Sequence, residues 1–152
     1  MIRPATPDDA AAITSIERDA FDAGAWSAEL VDLELTAPGR VVLAAEREEA
    51  LIGYASAAVI ADVADLTRIA VKPSGRRSGV ARALLGALVD EAARRGARRM
   101  MLEVDEANEA AMGLYRSAGF EEVARRRDYY GHGVDAVVME LAPIGERDTL
   151  DA

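Results

Sequence analysis

Six consecutive residues, Arg76-Arg77-Ser78-Gly79-Val80-Ala81, set two guanidiniums and a hydroxyl among small side chains, just ahead of a strongly amphipathic segment. An apolar run, Leu66-Thr67-Arg68-Ile69-Ala70-Val71, precedes them. A strand, a short basic loop and a helix start together hold phosphate. The first N–H groups of a helix have no partner inside it, and the macrodipole places partial positive charge there. The two arginines add charge-assisted donors. Gly79 and Ala81 let a ligand come close to the backbone. The loop therefore reads as a polyphosphate site. Two further residues have proton chemistry. Glu103 interrupts the apolar run Met101-Leu102-Glu103-Val104, and a carboxylate at a strand end acts as a base directly or through water. Alternation with Leu102 and Val104 equally permits an outward-facing strand residue. Tyr115 lies two helical turns beyond Asn108, so the two share a face. A phenol with a pKa of about 10 can protonate a departing anion placed beside it. Half-buried packing is the commoner fate of a tyrosine.

These residues need elements to position them. Thr6-Pro7-Asp8-Asp9 is a helix start, with a hydroxyl N-cap, proline at the first position and acids near the positive end. Ile13, Ile16, Ala20 and Phe21 follow at helical spacing. Ser27 is a second N-cap, ahead of Leu30, Val31 and Leu35. Strands are expected at Val41 to Glu46, Leu51 to Ile60 and Ala64 to Val71, with Glu48-Glu49 as a solvated hairpin turn. A helix over Val80 to Arg95 carries the stripe Leu84, Leu85, Leu88, Val89, Ala92 and Ala93, and Gly96 supplies its left-handed stop. A strand at Arg99 to Val104, a helix at Asn108 to Ala118 and strands near Phe120 to Asp128 and Val134 to Leu141 complete the chain. The last two are joined through Gly131-His132-Gly133. The order β-α-α-β-β-β-α-β-α-β-β implies an α/β domain (α+β mixed), with a mixed sheet and helices on both faces. The glycine spacing fits neither G-x-G-x-x-G nor G-x-x-x-x-G-K-[ST], so neither a Rossmann nor a P-loop domain is expected.

The 152 residues suffice for one domain, expected over 1–142, with a flexible acidic tail over 143–152. The chain has no cysteine, which excludes disulfides, thiolate nucleophiles and cysteine zinc sites. Met1-Ile2-Arg3-Pro4 opens no apolar leader, and no apolar run could span a bilayer, so a cytoplasmic protein away from membranes is expected. A net charge of −9 argues against direct nucleic-acid binding. Basic residues nevertheless concentrate between Lys72 and Arg99. Arg94, Arg95, Arg98 and Arg99 read as a solvated helix face, whereas Arg76 and Arg77 sit where an anion would. Glu34, Asp62, Asp65 and Asp105 could attract a cationic peptide, although solvated surface explains most of them. His132, alone between two glycines, makes no metal site.

Taken together, these residues resemble the GNAT acyltransferase superfamily, whose [QR]-x-x-G-x-[GA] loop opens a helix after a strand. The closer similarity is to the RimI-type ribosomal-protein-alanine N-acetyltransferases. It is carried by Ile69-Ala70-Val71-x-Pro73, Leu102-Glu103-Val104, Asn108-x-x-Ala111, Leu114-Tyr115-x-x-x-Gly119-Phe120, Arg127-Asp128-Tyr129-Tyr130 and the pair Trp26-Ser27. Ala25 stands where proline is usual, Ser78 where Arg or Gly is common, and Ala81 where glycine is commoner. The resemblance implies a GNAT fold, a mostly antiparallel seven-stranded sheet flanked by about four helices.

It also implies acetyl-CoA as co-substrate, with no metal. Ile69, Ala70 and Val71 would bond the pantetheine and polarise the acetyl carbonyl. Arg76, Arg77, Ser78, Gly79, Val80, Ala81 and Arg82 would wrap the pyrophosphate. Asn108 would bond the pantetheine arm, Tyr115 would be the general acid beside the sulfur, and Glu103 the base. Trp26, Tyr129 and Tyr130 would face the acceptor. The implied reaction is direct transfer in a ternary complex to the N-terminal alanine of a small-subunit ribosomal protein, and the absence of cysteine already excludes a cysteinyl intermediate. Some relatives associate with the tRNA threonylcarbamoyl-adenosine machinery, which makes a protein partner from that machinery an expectation. A small amine or lysine acceptor, or a non-catalytic acetyl-CoA-binding partner subunit, stays open at this level.

Overall fold

The computed structural model describes residues 1–76, 78–131 and 133–145, with Asp22 and Tyr130 described in their backbone only. Arg77, His132 and residues 146–152 lie outside the described residues, and with them most of the expected acidic tail.

Among the described residues seven strands form one sheet: β1 (Ile2–Pro4), β2 (Arg40–Arg47), β3 (Ala50–Ile60), β4 (Val63–Val71), β5 (Arg99–Asp105), β6 (Glu121–Gly131) and β7 (Val134–Leu141). Their spatial order is β1-β2-β3-β4-β5-β7-β6. Only β4 and β5 run parallel; every other neighbouring pair is antiparallel. The four α-helices among the described residues are α1 (Ala10–Phe21), α2 (Ala28–Thr36), α3 (Val80–Arg94) and α4 (Glu109–Ser117).

Strand alternation divides the apolar side chains between two cores. On β2, Leu43 and Ala45 join a core with Leu84, Leu85, Leu88 and Ala92 of α3 and Met112 and Tyr115 of α4. Ala44, between them, faces Ile13 and Ile16 of α1 and Val31 of α2. Helices α1 and α2 therefore cover one face, and α3 and α4 the other. Of the stripe that defines α3 in the sequence, Leu84, Leu85, Leu88 and Ala92 are buried, with Val89 and Ala93 half-buried beside them. The helix ends where Gly96 takes the left-handed conformation, φ +101°.

Local differences from the expected elements have local causes. Helix α1 enters through a 3₁₀ turn, Pro7–Asp9, and the Asp9 carboxylate accepts from the Thr6 N–H at 2.8 Å. Arg3 also holds Asp9, which keeps its carboxyl below the usual value. Glu48 and Glu49 form the expected turn, with both φ angles positive. Strand β6 runs past Asp128 to Gly131, so Tyr129 and Tyr130 lie in a strand and not in a loop. Its ladder is broken between Arg126 and Gly131. Asp128 takes φ +55° there, and its N–H donates to Asp135 Oδ1 at 3.0 Å. Residues 143–145, assigned in advance to the tail, pack onto the domain. Ile144 is buried and its N–H donates to the Arg98 carbonyl at 2.9 Å. Among the described residues no helix is long and apolar enough to cross a membrane.

Candidate active site

The parallel pair β4–β5 is joined only at its beginning, Val63↔Arg99, Ala64↔Met100 and Asp65↔Met101. Beyond Asp65 and Met101 the strands part. An interior strand pair that separates leaves backbone N–H and C=O groups along both facing edges. One extra residue on β4, Thr67, has no opposite number on β3, and such a bulge bends the strand. The gap is a cleft of about 460 Å³ that passes through the sheet. From the α1 side it is lined by Phe21 and Arg68, and from the α3–α4 side by Ala81, Leu114 and Tyr115.

Several residues singled out in the sequence meet in this cleft: Ile69, Ala70, Val71, Arg76, Ala81, Glu103, Asn108 and Tyr115. Glu103 is an outward-facing strand residue that also lines the cleft. Leu102 and Val104 belong to the α3–α4 core, which puts Glu103 on the opposite face, with its side chain 33% exposed. Its Oε1 is 3.1 Å from Arg126 Nη2, and the Arg126 guanidinium lies 5.4 Å from the centre of the Tyr129 ring. Tyr115 is on the other face, only 7% exposed, with its ring 5.9 Å from that of Phe120. Burial pushes its phenol up to about 12.

Asn108 is the N-cap of α4, and its Oδ1 accepts from the Ala111 N–H at 3.1 Å. That fixes the amide while leaving its NH₂ group for a ligand. Gly79 caps α3 with φ +82°, and a Cβ there would meet nothing within 4 Å. The first amides of α3, which have no partner inside the helix, follow directly, a helix start suited to an anion. Arg76 donates from Nε to the Val71 carbonyl at 3.3 Å, which ties the loop to the end of β4.

Other expected residues stand apart from the cleft. Ser78, Gly79, Val80 and Arg82 are not among its lining residues. Ser78 and Gly79 lead into α3, and Arg82 donates from Nη2 to Ser117 Oγ on α4 at 2.7 Å. Arg77 and the Tyr130 side chain lie outside the described residues. Tyr129 is 55% exposed on β6 and does not line the cleft. Trp26 is set behind the wall, its ring 4.8 Å from the Arg68 guanidinium. Glu34 is committed within the protein, bonded to Arg40 Nε at 2.7 Å and to Ser56 and Thr67. Asp105 accepts from the Ala107 N–H at 2.8 Å in the turn before α4.

Sequence reasoning missed a buried network on the α1 side. Glu17, completely buried, accepts from Arg68 Nε and Nη2, from Tyr54 Oη and from the Trp26 N–H. Its burial raises the carboxyl pKa, but the bonds from Arg68, Tyr54 and Trp26 together hold it below the usual value. Burial, and then the bond to Glu17, pushes the Tyr54 phenol far up. The signals were present: Glu17 falls in the Ile13-Ile16-Ala20 stripe, and Arg68 interrupts an apolar strand as Glu103 does. Arg126 gave no comparable signal within its own polar stretch. Among the described residues no group of three or more His, Cys, Asp or Glu side chains could hold a metal ion.

Residues 10–120 match the family model described as acetyltransferase (GNAT) family. The chain is 43% identical over 94 residues to the [ribosomal protein bS18]-alanine N-acetyltransferase of Escherichia coli K12, a match covering 60% of this chain and 64% of that protein. It superimposes on the crystal structure of the E. coli ribosomal-protein-S18-alanine N-acetyltransferase with a TM-score of 0.86 and 34% identity, over 95% of this chain and 93% of the other. The yncA protein of Salmonella typhimurium, solved with its cofactor acetyl-CoA, aligns with a TM-score of 0.81 and 27% identity, over 93% and 92%.

Proposed function

The chain belongs to the acetyltransferase (GNAT) family, and we propose that it is an acetyl-CoA-dependent Nα-acetyltransferase acting on the N-terminal alanine of a small-subunit ribosomal protein. One observation carries the reading. A carboxylate and a phenol, Glu103 and Tyr115, line a single cleft from opposite faces of the sheet. The names of the E. coli relatives support the choice of acceptor.

The residues present fit the proposed donor. The α3 amides beyond Gly79, with Arg76, would hold the pyrophosphate, and the free edge of β4 at Ile69–Val71 would bond the pantetheine. Acetyl-CoA supplies the activated acyl group as a thioester. Backbone N–H groups on the parted edge would polarise its carbonyl as a preorganised oxyanion site.

On the other face Glu103 receives the proton of the acceptor ammonium. An α-amino group has a pKa of about 7.7–8.0, so near neutrality the base removes one weakly held proton. Oε1 is committed to Arg126, while Oε2 has no partner among the described residues and is free for the amine. Tyr115, held protonated by burial, faces the departing sulfur. A thiol titrates near 8.5, so complete transfer from a phenol at about 12 is uphill by about 5 kcal/mol. Tyr115 is therefore best used as a hydrogen-bond donor that stabilises the developing thiolate, and the proton is balanced by the one released from the amine.

The test is a mass-shift assay with acetyl-CoA and peptides differing at their first two residues. A single acetyl group on the α-amine of alanine-initiated peptides is expected. Acetylation of lysine side chains or small amines alone would overturn the assignment, as would no transfer to any peptide.

A further inference from the structure

The Glu17–Arg68 network has no part in the chemistry above, although Arg68 lines the cleft. It sits on the face of the sheet that carries α1, the face to which Glu103 also points. Its guanidinium is fixed from every direction the structure describes. Nε donates to both carboxylate oxygens of Glu17, at 3.2 and 3.1 Å, and Nη2 donates to Glu17 Oε1 at 2.8 Å and to the Gly24 carbonyl at 2.7 Å. The group also lies 3.8 Å from the centre of the Phe21 ring, with Trp26 beside it. Its third nitrogen, Nη1, has no partner among the described residues, although the side chain is only 20% exposed.

Stability alone does not account for this arrangement. A buried ion pair is often no more stabilising than apolar side chains of the same volume. What the pair does provide is a planar donor already ordered before any ligand arrives. Its charge is matched by Glu17, so it offers a directional N–H donor without a net field to repel an approaching ammonium. A neutral carbonyl oxygen suits such a donor better than a second carboxylate would.

Resting on the Nα-acetyltransferase reading, we propose that Arg68 reads the acceptor: Nη1 donates to the carbonyl oxygen of the acceptor's first residue, so that transfer favours amines bearing a peptide carbonyl on the adjacent carbon. Arg68 is on this view a specificity residue that touches the acceptor, and Glu17, Phe21 and Trp26 are positioning residues that act through it.

The experiment compares an alanine-initiated peptide with the same peptide whose first amide is replaced by an (E)-alkene, which keeps the shape and removes the oxygen. With saturating acetyl-CoA, the wild-type protein is expected to prefer the amide by about 10–100-fold in kcat/KM, the range for one hydrogen bond to a charged group. Arg68→Lys and Arg68→Gln should lose most of that preference, chiefly by lowering kcat/KM for the amide, while KM for acetyl-CoA is unchanged. Equal losses on both acceptors would mean that Arg68 is structural only and would overturn the proposal. So would variants that keep the preference, or a wild-type protein that treats the two acceptors alike, a result that needs no variant to fold. Wild-type protein that acetylates neither would overturn the Nα reading along with this one, which separates the two failures.

Discussion

The proposed donor end and the proposed acceptor end of the cleft are made from different parts of the protein. At the proposed donor end the candidate binding groups are mostly backbone: the parted edge of β4 and the first amides of α3 behind a left-handed Gly79. At the acceptor end they are side chains gathered from α1, the loop before α2, β3, β4, β5 and β6. Glu17 meets Arg68 from 51 residues away, and Glu103 meets Arg126 across β7. A backbone site needs only the right local conformation, so a short motif encodes it. A side-chain site needs several elements docked in register, so no short motif encodes it. The difference makes the proposed donor end a matter of local sequence and the proposed acceptor end a matter of tertiary packing.

Substitutions that act on one end and spare the other test this division. The largest effect is expected from Glu103→Gln, which should lower kcat/KM for peptide about 10²–10⁴-fold near neutral pH and leave acetyl-CoA affinity unchanged. The loss should shrink as pH rises past about 8, where the α-amine is neutral without help; a loss that is flat across pH would remove Glu103 from the base role. Tyr115→Phe should reduce turnover about 10–100-fold, the worth of one hydrogen bond to a charged atom, with acetyl-CoA binding by calorimetry unaltered. Unchanged turnover would end its assignment to the departing sulfur.

Gly79→Ala tests the donor end. A side chain at φ +82° costs about 1–2 kcal/mol, and relaxation of the loop should raise KM for acetyl-CoA about tenfold while KM for peptide stays constant. If both constants moved together, the ends would not be independent. The smallest effect concerns the two buried phenols. Tyr115, at about 12 folded against about 10 unfolded, contributes stability that is complete below pH 10 and is lost as pH climbs toward 12. Thermal melts of Tyr115→Phe should therefore show a weaker decline above pH 10. Tyr54→Phe should do the same but also lower Tm by a few degrees at neutral pH, because Glu17 loses a donor. Identical neutral-pH melts for wild type and Tyr54→Phe would show the Glu17 network to be weaker than its geometry implies.

Legibility followed the same division. The helix stripe Leu84-Leu85-Leu88-Ala92, the N-cap Ser27 and the strands that flank the loop were readable because each depends on residues within one or two turns of one another. The basic loop was readable because a helix start after a strand dictates its own electrostatics. Tyr129 was misplaced for a physical reason. The broken β6–β7 ladder, pinned by Asp128 and Asp135, carries the strand through a stretch that reads as a loop. Trp26, expected to face the acceptor, does not line the cleft itself, and its ring lies against the Arg68 guanidinium.

By itself, then, the sequence determined the order of elements, the phosphate-suited helix start and the two residues capable of proton chemistry, because periodicity, capping and helix dipoles are short-range effects. Only the tertiary structure decided that Glu103 and Tyr115 approach one cleft from opposite faces, that Arg126 occupies one oxygen of Glu103, and that Glu17 holds Arg68 in the cleft wall. Those facts depend on where β4 and β5 part and on which side chains the two cores bring together, and both follow from contacts between residues far apart along the chain.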